Sequence, residues 1–374
     1  MDFLVYIIPF VVAIFLLFFF KKEVVWWEYV IMIGVPILVS LIIRLIMIGS
    51  NTTDIEYLGD YITKVRHYED WDEWVHKTCT RTYKSGNTTR TQTYDCSYRR
   101  YHPERWTYFD QNNKEHRLKS KEDFNEIVNK FKTKKIFVDM NRRYFTKDGD
   151  AEDYYWDKTK ETFWGVTHEE TYKNKVQCSR SVFNFEDISK KEADTLGLYD
   201  YPLIEKYDQN PILSKNKMSQ KDIDALKYLN GYYGKKYQFR TYVLIFENED
   251  VSISELQRSY WKGGNKNELV VCLGVADNEV KWCNAFSWED IPVLEVKSEN
   301  YFIENPSLNL VGFSDMLKTS LSNNEWKRKS FEDFDYIRPE LTMTQEMVAV
   351  ILSIIINVVI AFVLIFNDIK NNGF

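Results

Sequence analysis

No G-x-S-x-G elbow, no Walker-type G-x-x-x-x-G-K-[ST] loop, no C-x-x-C and no H-E-x-x-H occurs in this 374-residue chain. Each absence removes a chemistry that local spacing would announce: the hydrolase nucleophile, the P-loop phosphate cradle, the dithiol and the helical zinc pair. An excess of basic charge is missing too. With 49 Lys and Arg against 55 Asp and Glu the net charge is -6, which argues against nucleic acid as a partner, because neutralising phosphates needs a basic face. No internal repeat or low-complexity tract breaks the chain.

What is present is long apolar runs at both ends of a polar body. Phe3 to Phe20, Val30 to Gly49 and Met347 to Phe366 are each nearly free of charge, and roughly 20 apolar residues suffice for a helix to cross about 30 Å of hydrocarbon. Three transmembrane helices are expected, spanning 3–20, 30–49 and 347–366. The basic pair Lys21 and Lys22 follows the first run instead of preceding it, so that run reads as a retained span and not a cleaved signal. The same pair, with Trp26, Trp27 and Tyr29 beside it, suits a cytoplasmic turn bordered by an interfacial belt. This orientation exports the body and leaves the C-terminus cytoplasmic. Arg44 is expected to snorkel to the headgroups, and Asn357 to hydrogen-bond a neighbouring helix.

The five cysteines, at 79, 96, 178, 272 and 283, fit an oxidising compartment. The stretch from Cys79 to Cys96 has threonines alternating on both arms, a hairpin pattern. Centred on Asn87 and Thr88, it sets Cys79 opposite Cys96. A second hairpin, VVCLGVADNEVKWC, with Asp277 and Asn278 in its loop, sets Cys272 opposite Cys283. Two disulfides are therefore expected, with Cys178 a leftover buried thiol. The rival reading for the first pair is a tetrahedral zinc site of His76, Cys79, Cys96 and His102. His67 and His116 read as surface residues, and His168, in His-Glu-Glu, lacks a second histidine at metal-binding spacing. The acidic stretch KDGDAED reads as a solvated turn, lacking the glycine and distal glutamate of a calcium loop.

The fold expected is a membrane-anchored α+β protein in four segments: a transmembrane hairpin over 1–49, a β-rich aromatic domain over 50–210, an α+β sandwich over 211–343 and a final transmembrane helix with a short tail over 344–374. In the first half Phe124, Ile127, Val128 and Phe131 mark a short helix. In the second, after a polar linker, the order reads α-β-α-β-β-β-α, with VLEVKSENYFI as a strand.

The segments YVLIF, RSYWKGG and above all GGNKNELVVCLGVADNEVKW, within residues 219–325, resemble the TPM domain, an α+β module of exported bacterial and thylakoid-lumen proteins. The resemblance implies a phosphatase-like or divalent-metal activity, with Asp277 and Glu279 as the candidate carboxylates. At that turn the family has an Asp-Asp-Arg-like sequence where this chain has Asp277-Asn278-Glu279. The chain as a whole looks like uncharacterised membrane proteins of bacteria and phages.

The function expected is a membrane-tethered, extracytoplasmic interaction module. It requires no cofactor, and its partner is another membrane or envelope protein. Trp71, Trp74, Tyr101 and Trp106 are the expected anchors, since a few large side chains usually dominate binding energy. The alternative is a membrane-tethered hydrolase of the TPM type using a divalent metal.

Overall fold

A computed structural model describes residues 26–371, apart from 87, 141–147, 160–161, 179–184, 248–249, 278 and 290, together with scattered positions before 26. The expected first span, 3–20, lies largely outside the described residues. In chain order the helices are α1 (Trp26–Asn51), α2 (Lys121–Lys130), α3 (Lys190–Leu196), α4 (Gln220–Tyr237), α5 (Ser252–Tyr260), α6 (Pro292–Glu304), α7 (Leu310–Ser322) and α8 (Met343–Asn371). The strands are β1 (Thr53–Tyr61), β2 (Lys64–Tyr68), β3 (Trp71–Val75), β4 (Thr78–Ser85), β5 (Thr88–Asp95), β6 (Tyr98–His102), β7 (Arg105–Phe109) and β8 (Glu115–Arg117), then β9 (Lys134–Val138), β10 (Ala151–Tyr155), β11 (Gly165–Lys173), β12 (Ile212–Ser214), β13 (Arg240–Phe246), β14 (Glu268–Ala276) and β15 (Glu279–Ser287). The fold is mixed α+β.

The chain divides into two compact units. The smaller gathers Met1–Glu56, Glu170–Glu186 and Lys329–Phe374. It contains α1 and α8, and the windows Trp26–Asn51 and Met343–Ile360 are long and apolar enough to cross a membrane. Buried small residues, Ser40 on α1 with Ala349 and Ser353 on α8, let two helix backbones pack closely. Asn51 at the end of α1 and Gln345 at the start of α8 exchange both amide hydrogen bonds, at 2.7 and 2.8 Å. The helix ends that border the body are thereby joined. Asn357 does not reach a second helix as expected: its Nδ2 donates to Ser353 O of its own helix, 2.8 Å away. Beyond the helices, Gln177 Nε2 and Cys178 Sγ both donate to Asn51 O, at 2.5 and 2.9 Å.

The larger unit, Tyr57–Glu169 with Asp187–Arg328, holds two sheets of more than two strands, different in character. One is the antiparallel order β8-β7-β2-β10-β9, and the other is the mixed order β12-β13-β14-β15, parallel as far as β14 and antiparallel for the hairpin strand β15. Every residue of β13 is buried, as expected of a strand covered on both faces. Its Val243 and Ile245 join Leu226 and Leu229 of α4, Phe302 of α6 and Phe313 and Leu317 of α7 in one core. The alternate residues Tyr242, Leu244 and Phe246 join Ile253 of α5, Ala193 of α3 and Phe286 of β15 on the other face. The antiparallel sheet has its own core of Val65, Tyr108, Phe124, Ile127 and Trp156.

Three expectations change here. The segment expected as a strand, VLEVKSENYFI, is helix α6: Pro292 opens its first turn, where a fixed φ and a missing N–H cost nothing. Leu294, Ser298 and Phe302 then form its buried stripe at intervals of four. The stretch expected as a polar linker contains β12, which pairs Ile212 with Val243. The hairpin β14–β15 turns at the expected place, with Ala276 facing Glu279, but a bulge follows it. Val275 faces Val280 and Gly274 faces Trp282, so Lys281 is extra. One inserted residue reverses the side of everything beyond it. Cys272 therefore faces Asn284 inside one core, and Cys283 faces Leu273 against the other. Both thiols are free, and the expected Cys272–Cys283 bridge does not form.

Helix α4 meets β1 through glycines. A β-carbon at Gly59 would stand 2.1 Å from Asn230 O, one at Gly234 2.9 Å from Gly59 O, and one at Gly231 2.4 Å from the Phe163 ring. Gly59→Ala is expected to destabilise the chain by about 3 kcal/mol, read by urea unfolding of the detergent-solubilised protein. A loss under about 0.5 kcal/mol, the range of neutral surface changes, would show that strand and helix can separate at no cost.

The acidic stretch expected as a solvated turn is instead tied into the sheet. Asp148 accepts both Arg105 Nε and Nη2, at 2.8 and 2.7 Å. Asp153 on β10 accepts Lys64 Nζ at 2.7 Å and Arg66 Nη2 at 3.0 Å from the neighbouring strand. Burial raises the Asp153 pKa, but the Arg66 guanidinium and then the Lys64 ammonium outweigh it and hold the carboxyl below its usual range. Because the folded pKa is the lower one, this stabilisation is complete above the unfolded value of about 3.9 and fades as pH falls through the folded one. Asp153→Asn is expected to cost about 3 kcal/mol at pH 7, with the difference from wild type shrinking below about pH 4. A gap equally wide at pH 3 would deny the carboxylate its role.

Candidate functional site

Residues 71 to 102 form a single antiparallel ribbon. Trp71 faces His102, Thr78 faces Asp95 and Ser85 faces Thr88, one register throughout, and Cys96 N donates to Lys77 O where the strands are interrupted. All residues of β5 are exposed. At about 3.3 Å per residue the arm reaches on the order of 50 Å if straight. Its connection is two residues long and begins at Gly86, whose φ of 64° suits glycine.

This turn lies one residue earlier than expected, so Cys79 faces Tyr94 and not Cys96. The expected disulfide forms nonetheless: Cys79 and Cys96 are bonded, with Cα atoms 5.8 Å apart. Moving the turn by one residue displaces the partner by two, which keeps both sulfurs on the same face, and the strong twist of a two-stranded ribbon closes one diagonal. The bond consumes both thiolates that a zinc site of His76, Cys79, Cys96 and His102 would need. His102 lies instead 2.8 Å from Glu73 Oε2 and stacks on Trp71.

The two faces of the arm differ. One pairs Thr80 with Thr93 and Thr82 with Thr91; the other carries the disulfide with Arg81, Tyr83, Arg90 and Tyr94. Between residues 77 and 95 the charges are Lys77, Arg81, Lys84 and Arg90 against Asp95, a basic segment in an acidic chain. Of the expected anchors, Trp74 and Tyr101 are exposed near the base of the arm, and Trp71 is half-buried. Trp106 lies elsewhere, on β7, stacked on His67 and packed against the antiparallel-sheet core. Asp277 and Glu279 are at a hairpin tip, where Glu279 Oε2 accepts Lys281 Nζ at 2.9 Å.

A second constellation is buried in the same unit. Asp60 near the end of β1 and Asp110 just after β7 have carboxylates 0% and 1% exposed. Asp110 Oδ1 accepts the backbone N–H groups of Asn112 and Lys114, both at 2.9 Å, which fixes the tight turn into β8. Its Oδ2 stands 3.1 Å from His116 Nε2 and 3.4 Å from Lys235 Nζ. Asp60 Oδ2 stands 3.0 Å from the same ammonium and 3.4 Å from His168 Nε2. Tyr108 stacks on His116, and the His116 and His168 ring centres are 5.0 Å apart. Burial pushes both carboxyls up; for Asp60 the His168 and Lys235 contacts, and for Asp110 the turn amides, His116 and Lys235, outweigh it and bring them below their usual range.

Sequence spacing offered no motif for these residues. His116 and His168 come from different strands, and Lys235 arrives from α4. The readable trace was Gly59-Asp60 matched by Gly231 and Gly234 just before Lys235, a pattern of close backbone approach. The cleft lined by Gly59, Gly165, Lys227, Asn230 and Arg240 holds about 30 Å³, room for water and not for a substrate. No protein-family model matches the chain, no curated protein matches its sequence, and no solved structure matches its fold.

Non-reducing peptide mapping is expected to find Cys79 joined to Cys96, with Cys178, Cys272 and Cys283 free. Burial raises the pKa of all three free thiols, so native alkylation should be slow and Cys272 should react only after unfolding. Recovery of a peptide linking Cys272 to Cys283 would refute the bulge. Replacing both bridge cysteines with serine is expected to cost about 3 kcal/mol, by the entropy of a loop of this length, and to speed protease cleavage within the arm.

Proposed function

We propose that this chain is a membrane-tethered, extracytoplasmic interaction protein that docks through the 71–102 arm onto an acidic surface of another membrane or envelope protein. The observation that carries the reading is the arm itself: a long, stapled, solvent-exposed ribbon with tyrosine and arginine alternating on one face. Aromatic and arginine side chains are the usual energetic anchors of protein interfaces. The basic segment, set against a net charge of -6, favours an acidic partner and discourages self-association of the arm with its own body. A disulfide agrees with an oxidising compartment. The joined ends of α1 and α8 agree with a body that leaves and re-enters the bilayer from one side, and Lys21 with Lys22 selects the outer side. The hydrolase alternative has less support, since Glu279 is engaged by Lys281 at an exposed turn.

A photo-crosslinking residue at Tyr83 is expected to give one discrete protein adduct in intact cells. Arg81→Glu with Arg90→Glu should reduce that adduct at least tenfold and leave the melting temperature unchanged. Adduct formation unaffected by charge reversal would overturn the acidic-partner reading. Binding of the purified protein to phosphatidylglycerol vesicles, lost in the same double variant, would make the membrane surface the better answer.

A further inference from the structure

The geometry points to a second site, independent of the arm: we propose that Asp60, Asp110, His116 and His168 bind one divalent transition-metal ion of the zinc class. Two ligands of a tetrahedral zinc, each about 2.1 Å from the ion, stand about 3.4 Å apart. Here Asp110 Oδ2 and His116 Nε2 are 3.1 Å apart, and Asp60 Oδ2 and His168 Nε2 are 3.4 Å apart. The ligand atoms of Asp110, His116 and His168 all lie within 4.8 Å of one another. Small side-chain movements therefore close the shell.

An independent observation is the state of His168. Its Nε2 is buried and makes no well-formed hydrogen bond, its contact with Asp60 Oδ2 being 3.4 Å long, although a buried polar atom left so is costly. It faces the space that His116 and the two carboxylates surround, and a metal ion satisfies it. The chemistry of the donors agrees, since imidazole with carboxylate suits zinc and its neighbours in the transition series and not the all-oxygen shells of calcium or magnesium.

Charge decides the role of Lys235. Two carboxylates and one ammonium together contribute -1. A dication brings that sum to +1 if the ammonium stays and to zero if the ammonium leaves. The Lys235 side chain is 28% exposed, so it can swing to water. Lys235 is thus the resident counter-ion that the metal displaces, holding the two carboxylates together in its absence. Tyr108 over His116 closes one side, and the neighbouring cleft holds little beyond water. The site is accordingly a staple of β1, the β7–β8 turn, β8 and β11, not a hydrolytic centre.

Cobalt(II) added to the full, detergent-solubilised chain tests this, because a tetrahedral nitrogen–oxygen shell gives it intense visible absorption. One equivalent is expected to bind and to be displaced by zinc, with a rise in melting temperature. His168→Ala and Asp110→Ala should weaken binding at least tenfold, while His67→Ala, outside the cluster, should leave it unchanged. Lys235→Met should tighten binding about tenfold, a gain that unfolding cannot imitate. A wild-type chain that takes up no stoichiometric cobalt or zinc overturns the proposal. So does uptake undiminished in the folded His116→Ala, His168→Ala double variant.

Discussion

The backbone contact between β1 and α4 is the constraint on which the larger unit depends. Gly59 lies so close to Asn230, and Gly234 so close to Gly59, that no other residue type can occupy these positions without moving a strand or a helix. Asn230 in turn grips β13, accepting Thr241 N at 2.8 Å and donating to Thr241 O at 2.9 Å. Strand β1, helix α4 and the parallel sheet are therefore fixed in one chain of contacts. The residue after Gly59 is Asp60 and the residue after Gly234 is Lys235, so the same approach that joins the elements delivers an ammonium to a buried carboxylate. Glycine inside a helix costs roughly 1 kcal/mol relative to alanine, and two within four residues would be a poor choice unless the neighbour required them.

Buried acidic groups in this unit are satisfied by specific donors and not by exposure. Asp153 meets Lys64 and Arg66 from the adjacent strand. Glu268, fully buried, accepts Tyr201 OH at 2.5 Å and Asn265 N at 2.9 Å. Those two donors to Glu268 are neutral, whereas removing Lys64 or Arg66 would leave Asp153 less compensated in a low-dielectric interior, which costs more than the intact pair contributes. The Asp60–Asp110 cluster departs from that pattern: two carboxylates share one ammonium, with His116 Nε2 3.1 Å from Asp110 and His168 Nε2 3.4 Å from Asp60. That excess of acceptors over cations makes the cluster a receptive place for a further positive charge.

Much of the architecture was legible in the sequence, and the failures have local causes. The helices α2 and α4 follow from apolar spacing and α4 also from its Ser219 cap, which accepts Asp222 N; α5 and α7 are helices as expected, but the serine cap expected for α5 is absent, its N-cap Val251 making no side-chain bond. Strand β13 follows from an unbroken apolar run. Helix α6 was misread because Val293, Leu294 and Val296 imitate a strand, although Pro292 at its first position was the stronger signal. Both hairpins pair the expected strands, yet one expected disulfide forms and the other does not. In the arm the error in the turn preserved the face of each residue. In β14–β15 the turn was correct, and Lys281, inserted without any glycine or proline of its own, moved Cys283 to the opposite side of the sheet. The histidine–carboxylate cluster was illegible for another reason. Asp110 and His116 share the β7–β8 hairpin, but Asp60 comes from β1, His168 from β11 and Lys235 from α4, so no local spacing announces them.

The arm and the core place opposite demands on the chain. Core strands such as β13 are held by burial on both faces, whereas β4 and β5 bury almost nothing and a lone two-stranded hairpin is marginally stable in water. Threonine pairs such as Thr80 with Thr93 and Thr82 with Thr91 supply β-branched, cross-strand contacts worth only a few tenths of a kcal/mol each. The Cys79–Cys96 bond lies near the interruption at residues 76–77 and 96–97, where the ladder is weakest and a crosslink removes the most freedom. An arm ordered before it meets a partner loses less conformational entropy on docking. A single covalent staple at that joint thus keeps the Tyr83, Arg81, Arg90 and Tyr94 face in one arrangement without a core beneath it.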